Sequence, residues 1–126
     1  PAHTIDRHFE QVVVVADQRK FVAALIVPAY AALEAYAREQ GIAFASREEL
    51  CADPRIHAYV AQHIDTLQQE LAAYEKIKRF VLLPQPFTME AGEITNTLKI
   101  KRRVIYQHYA AQIEQMYAEA EAEQRK

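Results

Sequence analysis

The residues best suited to chemistry lie together in segment 92–103, Gly-Glu-Ile-Thr-Asn-Thr-Leu-Lys-Ile-Lys-Arg-Arg. Four of its last five residues are basic, and a glycine and two threonines precede them. A lysine on a loop can be carried to a phosphate or a carboxylate, where its ammonium acts as a compact positive charge. Because the composition also fits the solvated basic start of a helix, the residues alone leave both interpretations open.

Three short apolar runs predict the strands that must support this segment. The runs 11–15 and 21–27 flank the polar residues 17–20, and together they predict a β-hairpin. The run 77–83 ends at a proline and predicts a third strand. Residues 84–100, which contain two prolines, a glycine and three threonines, are predicted to be mostly loop.

Helices are predicted between the second and third strands. Residues 31–40 have helical composition, and Gly41 stands where a helix C-cap glycine belongs. Ser46 and Glu49 form a capping-box pattern for a short helix. Asp53-Pro54 marks a stronger helix start. The apolar residues that follow it at steps of three or four predict one helical face: Ile56, Val60, Ile64, Leu67, Leu71 and Tyr74.

A last helix, over about residues 101–122, completes the set, with an apolar stripe made of Ile105, Tyr109, Ile113, Met116 and Tyr117. The order is then strand, strand, helix, helix, strand, loop, helix. This order predicts a small α+β domain with a roughly three-stranded, mostly antiparallel sheet, packed helices and a long C-terminal helix. Residues 1–126 are therefore expected to form a single domain.

Composition and charge exclude several classes of function. The formal net charge of the 126 residues is −2, so no overall field attracts nucleic acid. Only two glycines are present, and a backbone cradle for phosphate needs several close together. The chain alone is therefore a poor candidate to hold a nucleotide, and no cofactor is expected for this domain by itself.

The cysteine and histidine content argues against metal and disulfide chemistry. Cys51 is the only cysteine, which rules out an internal disulfide and favours a reducing, cytoplasmic location. His57 and His63 lack the i, i+4 spacing of a helical metal pair, so no metal site is expected. No apolar run approaches the roughly 20 residues that span a bilayer, so no transmembrane segment is expected.

Segment 92–103 resembles the tenth core motif of the superfamily of acyl- and aryl-CoA synthetases, peptide-synthetase adenylation domains and luciferases. It is most similar to the variant in long-chain fatty acid–CoA ligases, with the pattern Gly-Glu-Leu-Thr-Pro-Thr-Leu-Lys-hydrophobic-Lys-Arg. Ile94 is a conservative replacement, and Asn96 stands where proline is common. The matching residues are Glu93, Thr95, Thr97, Leu98, Lys99, Lys101 and Arg102. Segments 11–28, 53–54 and 74–80 also look like this family, so the resemblance covers nearly the whole chain.

The resemblance implies an enzyme that makes an acyl-adenylate from ATP and a fatty acid and then transfers the acyl group to CoA. A large N-terminal adenylation domain would bind ATP, Mg²⁺ and fatty acid, and it would be this chain's partner. The family's nucleotide loop and hinge motif are absent, so the chain is expected to be the C-terminal lid domain, beginning just after the hinge. The intact enzyme would be cytoplasmic or membrane-peripheral, and its acyl chain length would be set in the other domain.

By the motif match, Lys99 is the catalytic lysine that reaches the α-phosphate and the acyl carboxylate. Gly92, Thr95 and Thr97 are expected to support the loop. Three further basic residues are candidates for contacts with CoA or with the other domain: Lys101, Arg102 and Arg103. Two alternatives remain: a small module that binds nucleic acid or another anion, and a regulatory domain that dimerises through a sheet edge.

Overall fold

The fold is built on a three-stranded mixed sheet, seen in a computed structural model that describes residues 8–16 and 20–124. The strands β1 (Phe9–Val15), β2 (Val22–Pro28) and β3 (Ile77–Leu82) lie in the order β1-β2-β3. β1 and β2 are antiparallel, which confirms the predicted hairpin, although turn residues 17–19 fall outside the described residues. β3 runs parallel to β2, because a long helical crossover returns the chain to the same end of the sheet.

The crossover contains three helices with local start and stop signals: α1 (Tyr30–Glu39), α2 (Arg47–Ala52) and α3 (Pro54–Leu67). Gly41 follows α1 with a φ of +70°, a left-handed conformation that glycine adopts without steric cost. The Ser46 Oγ accepts a hydrogen bond from the Glu49 N–H at 3.2 Å, and the Asp53 carboxylate accepts one from the Arg55 N–H at 2.8 Å. Both predicted N-caps are therefore confirmed.

The third helix is shorter than its apolar periodicity predicts. α3 ends at Leu67, and Leu71 and Tyr74 lie beyond it with 39% and 80% of their surfaces exposed. The Gln68 side chain instead bonds both main-chain groups of Ile77, donating to its carbonyl at 3.1 Å and accepting from its N–H at 3.0 Å. The side-chain amide of Gln68, just after the end of α3, therefore makes the two hydrogen bonds to Ile77 that an adjacent strand could make.

The predicted C-terminal helix is present but divided at Tyr109 into α4 (Arg102–His108) and α5 (Ala110–Gln124). Tyr109 keeps a hydrogen bond to the Ile105 carbonyl at 3.0 Å, so the two helices follow each other closely. Both helices bury apolar side chains in the same cluster, including Ile105 from α4 and Ile113 from α5.

The core has two parts, one on each face of the sheet. Alternate residues of β2 point to opposite faces, so Leu25 belongs to one cluster and Ile26 to the other. Helices α4 and α5 and the loop residues Phe87 and Ile94 cover the first face, and α1–α3 cover the second. The predicted α+β class is confirmed. Within the described part of the chain, no helix is long and apolar enough to cross a membrane.

Candidate functional site

Residues 94–100 form a small β-hairpin, the lysine hairpin, between the loop after β3 and the start of α4. Ile94 and Ile100 pair as an isolated antiparallel bridge. The Thr95 N–H donates to the Lys99 carbonyl at 2.9 Å, and the Leu98 N–H donates to the Thr95 carbonyl at 2.9 Å. The predicted loop is therefore a closed turn with a defined backbone.

The Thr95 hydroxyl organises the interior of the lysine hairpin. Its Oγ1 accepts hydrogen bonds from the N–H of Lys99 at 3.0 Å and from the N–H of Thr97 at 3.3 Å. The hydroxyls of Thr95 and Thr97 also share a hydrogen bond of 3.0 Å. Both threonines that the sequence singled out thus bond within the turn that carries Lys99.

Two residues of this region have left-handed backbone conformations. Gly92 has a φ of +73°, and no atom lies within 4 Å of the place where its Cβ would be, so its role is conformational rather than steric. Leu98 has a φ of +64°, a region that L-residues with side chains rarely occupy. Its side chain is 70% exposed, so burial of that side chain does not explain the strain.

Lys99 is exposed, and its ammonium forms no hydrogen bond or ion pair with the residues that the structure describes. Lys101 and Arg103 are also exposed and, in the same part of the chain, their side chains have no polar partner. Arg102 differs, because its Nη1 donates to the Val14 carbonyl of β1 at 2.9 Å. The Tyr106 hydroxyl donates to the same oxygen at 2.9 Å. Arg102 therefore fixes the start of α4 to the sheet.

Glu93 is a buried member of the site to which the sequence assigned no role. It is 5% exposed, and both carboxylate oxygens are bonded. Oε1 accepts from the Thr88 N–H at 3.1 Å, and Oε2 lies 3.0 Å from the His108 Nδ1 at the end of α4. Burial raises the pKa of Tyr109, and the nearby Glu93 carboxylate raises it further. His108 lies fifteen residues after Glu93, a separation at which no helix, turn or strand pattern in the sequence links the two residues.

Cys51 and three further histidines, His8, His57 and His63, lie among other side chains of the fold. His57 stacks on the Phe80 ring at 4.1 Å and lies 3.3 Å from the Phe80 carbonyl, and His63 stacks on His8. Cys51 is buried, and this burial raises the pKa of its thiol to about 11. Among the described residues, no group of three or more His, Cys, Asp or Glu side chains could hold a metal ion.

A groove of about 950 Å³ lies elsewhere, between α3, β3 and α5. Its lining mixes bases such as Lys78 with acids such as Glu121, and Arg79 pairs with Glu123 across it. No residue of segment 92–103 lines this groove. The exposed Lys99 and this groove are therefore separate features of the domain.

Comparison with known proteins decides the family. Residues 2–121 match the model of the AMP-binding enzyme C-terminal domain. The chain belongs to this family. The resemblance seen in segment 92–103 is thereby confirmed.

Relatives of this C-terminal domain include named ligases. The chain is 39% identical over 89 residues to a peroxisomal long chain acyl-CoA synthetase of Arabidopsis thaliana. It is 35% identical over 108 residues to a long-chain-fatty-acid–CoA ligase of Mycobacterium tuberculosis. These matches cover 69% and 85% of the chain but only 13% and 18% of the relatives. The chain therefore spans less than a fifth of the proteins it resembles.

Solved structures show the same fold over nearly the whole chain. The adenylation domain of a carboxylate reductase from Mycobacterium chelonae matches 93% of the chain with a TM-score of 0.68 and 28% identity, over 17% of its own length. The A-PCP didomain of the carboxylic acid reductase from Segniliparus rugosus, a complex with AMP, matches 94% with a TM-score of 0.72 and 22% identity, over 15% of its length. The fold is thus that of a domain of adenylate-forming enzymes.

Proposed function

We propose that this chain is the mobile C-terminal domain of an AMP-forming long-chain fatty acid–CoA ligase and that Lys99 is its catalytic residue. One observation carries the proposal: Lys99 presents an ammonium with no polar partner among the described residues, on a hairpin closed by Thr95. A lysine committed to an ion pair would have such a partner. Lys101 is also exposed, but of these two lysines only Lys99 has its main chain held inside the turn by the Thr95 hydroxyl. The long-chain ligases among the relatives support the choice of substrate.

The charge of Lys99 answers a specific problem in adenylation. A carboxylate oxygen attacks the α-phosphorus of ATP, and the bond from that phosphorus to the bridging oxygen breaks, so pyrophosphate leaves. The step brings two anions together, and a positioned ammonium offsets their repulsion and the charge that develops in the transition state. In the second half-reaction the CoA thiol attacks the acyl carbonyl, and AMP leaves as the thiol loses its proton.

The proposal assigns the remaining parts of the enzyme to an N-terminal adenylation domain. That domain would bind ATP, Mg²⁺ and the fatty acid, since the described residues offer neither a metal-ligand cluster nor a glycine-rich loop. Lys101 and Arg103 remain candidates for contacts with CoA or with the adenylation domain, because both are exposed without a polar partner. Arg102 is better assigned to anchoring α4. The lone, buried Cys51 favours a cytoplasmic enzyme.

The sheet edges argue against a dimer that forms through strand pairing. On β1, the Arg102 guanidinium and the Tyr106 hydroxyl already bond the carbonyl of Val14. On β3, Gln68 occupies both main-chain groups of Ile77, and His57 covers the Phe80 carbonyl. These contacts protect part of each strand, which disfavours pairing with a second chain there. A binding site for nucleic acid has little support either, because the net charge is −2 and the basic run is short.

The test is to measure the two half-reactions of the intact enzyme separately for Lys99→Ala. We expect adenylation to fall by about a hundred- to a thousandfold, the usual effect of removing one preorganised electrostatic donor. Transfer of a preformed acyl-adenylate to CoA should change little, since the charge problem no longer exists. The 126-residue chain alone, given ATP, Mg²⁺ and palmitate, should release no pyrophosphate.

Lys101→Ala is the matched control, since it removes an exposed lysine two residues away. It should reduce adenylation far less than Lys99→Ala does. Equal losses in both half-reactions for Lys99→Ala, or an equal adenylation defect for Lys101→Ala, would show that the catalytic role is wrongly assigned. Turnover by the isolated chain at the rate of an intact ligase would contradict the domain assignment.

A further inference from the structure

Glu93 is a charged residue that is buried beside the apolar Ile94, at the base of the lysine hairpin. Its neighbours on the lysine hairpin, residues 96–99, are exposed, whereas Glu93 is 5% exposed. A buried carboxylate is costly unless hydrogen bonds replace its hydration. Both oxygens of Glu93 have such bonds, one to the Thr88 N–H and one to His108. The exposed Glu90, in the same loop, has no polar partner within the described part of the chain.

The main chain of Glu93 is also bonded on both sides. Its N–H donates to the Thr88 carbonyl at 3.0 Å, and its carbonyl accepts from the Lys101 N–H at 2.8 Å. Glu93 therefore joins the turn that enters the lysine hairpin to the residue that leaves it. Through His108 it also joins this base to the last turn of α4. The hairpin cannot swing relative to α4 unless these bonds break.

We propose that Glu93 is a positioning residue for adenylation, which holds the base of the lysine hairpin so that Lys99 is aimed at the reacting anions. This inference rests on the proposed function of Lys99. An ammonium at the end of a flexible side chain stabilises a transition state well only if the backbone that carries it is already in position before the reaction. His108 is the partner that transmits the restraint from α4.

The test is a double-mutant cycle in the intact enzyme with Glu93→Gln and Lys99→Ala. Glutamine keeps an oxygen for the Thr88 N–H but replaces the charged contact with His108 by a neutral one. We expect Glu93→Gln to slow adenylation by about tenfold when Lys99 is present, within the range of coupling between groups that act together. In the Lys99→Ala background the same change should have about a twofold effect or less. Transfer of preformed acyl-adenylate to CoA should be unchanged.

Two further variants separate positioning from folding. His108→Ala, at a residue whose side chain is 43% exposed, should reproduce part of the adenylation loss without unfolding the domain. His108→Lys should restore most of the rate, since an ammonium there can again donate to Glu93. Glu90→Gln is the control for removing a nearby carboxylate and should have no effect.

Several outcomes would overturn the inference. One is an adenylation loss from Glu93→Gln that is equally large with and without Lys99, because a residue that acts through Lys99 must lose its effect in Lys99→Ala. Another is an equal loss in the CoA-transfer step, which would mark Glu93 as structural only. Normal adenylation by Glu93→Gln would refute it as well. Normal adenylation by Lys99→Ala would instead refute the proposed function itself.

Discussion

The backbone of Leu98 allows a test in which glycine is expected to stabilise the protein. Leu98 has a φ of +64° and is the one non-glycine residue with a positive φ in the described part of the chain. The left-handed region costs an L-residue roughly 1–2 kcal/mol, because its Cβ approaches the following carbonyl oxygen. Glycine has no Cβ and avoids this cost, but it loses more conformational entropy on folding, which amounts to about 0.4–1 kcal/mol.

The comparison is between Leu98→Gly and Leu98→Ala, since both remove the exposed side chain and differ by the Cβ. At residue 98 glycine should be at least as stable as alanine, with a free energy of unfolding higher by up to roughly 1.6 kcal/mol once both effects are included. Leu71 is the matched position, because it is 39% exposed and has no positive φ. There glycine should be less stable than alanine by about 0.4–1 kcal/mol.

The difference between the two positions isolates the strain, because the entropy of the unfolded chain enters both comparisons equally. It should therefore be about 1–2 kcal/mol in favour of glycine at residue 98. Urea unfolding of the four variants measures it, provided that the dependence on denaturant concentration is the same in all of them. If the difference between the glycine and alanine variants were the same at residue 98 as at residue 71, residue 98 would not adopt the left-handed conformation in solution.

Two further predictions concern ionisable groups away from the hairpin. Because burial raises the pKa of Cys51 to about 11, the native domain should react with a thiol-directed disulfide reagent at pH 8 far more slowly than the urea-unfolded chain, and equal rates would contradict the buried site. The side chain and N–H of Arg55 lower the pKa of Asp53 from 3.8 to about 2, so its stabilising effect is complete above about pH 4 and is lost as the pH falls through 2. Asp53→Asn keeps a helix cap that cannot titrate. Its free energy of unfolding, measured at pH 5, 4, 3 and 2, should fall less steeply with acid than that of the unmodified chain. Parallel pH dependences for the two proteins would exclude this role.

The parts of the fold that were predictable from the sequence depend on contacts between near neighbours. The cap at Ser46 joins residues three apart, and the cap at Asp53 joins residues two apart. The left-handed Gly41 lies just after α1. All three features are present in the structure. The end of α3 was not predictable, because apolar spacing continues through Leu71 and Tyr74. Gln68, the residue that follows α3, bonds Ile77 through its side chain, and that contact exists only once β3 is in place.

The candidate site divides in the same way. Lys99 and its supporting threonines lie within five residues, so a contiguous motif was sufficient to single them out. The bond from Arg102 to Val14 joins residues 88 apart, and that from Glu93 to His108 joins residues 15 apart. Neither pair has a periodic relation in the sequence. The first depends on the start of α4 lying beside Val14 of β1, and the second on the end of α4 lying beside Glu93. Only the folded chain establishes either arrangement.

Two local rules of stability are broken in the segment that carries Lys99. Elsewhere, polar side chains cap α2 and α3, and a left-handed residue after α1 is glycine. Around the hairpin, a leucine occupies a left-handed conformation, and a carboxylate is buried at the hairpin base. A loop selected for stability alone would place glycine at residue 98 and an apolar side chain at residue 93.

Such departures are expected at functional sites, where a fixed geometry matters more than the lowest free energy. The strain at Leu98 and the buried Glu93 both act on the backbone that precedes or follows Lys99, and neither contacts its ammonium. They restrict where the lysine can be while leaving its charge available to a ligand. The concentration of these features in segment 92–103, and not in the groove beside β3, supports the proposal that the chemistry of this domain lies at Lys99.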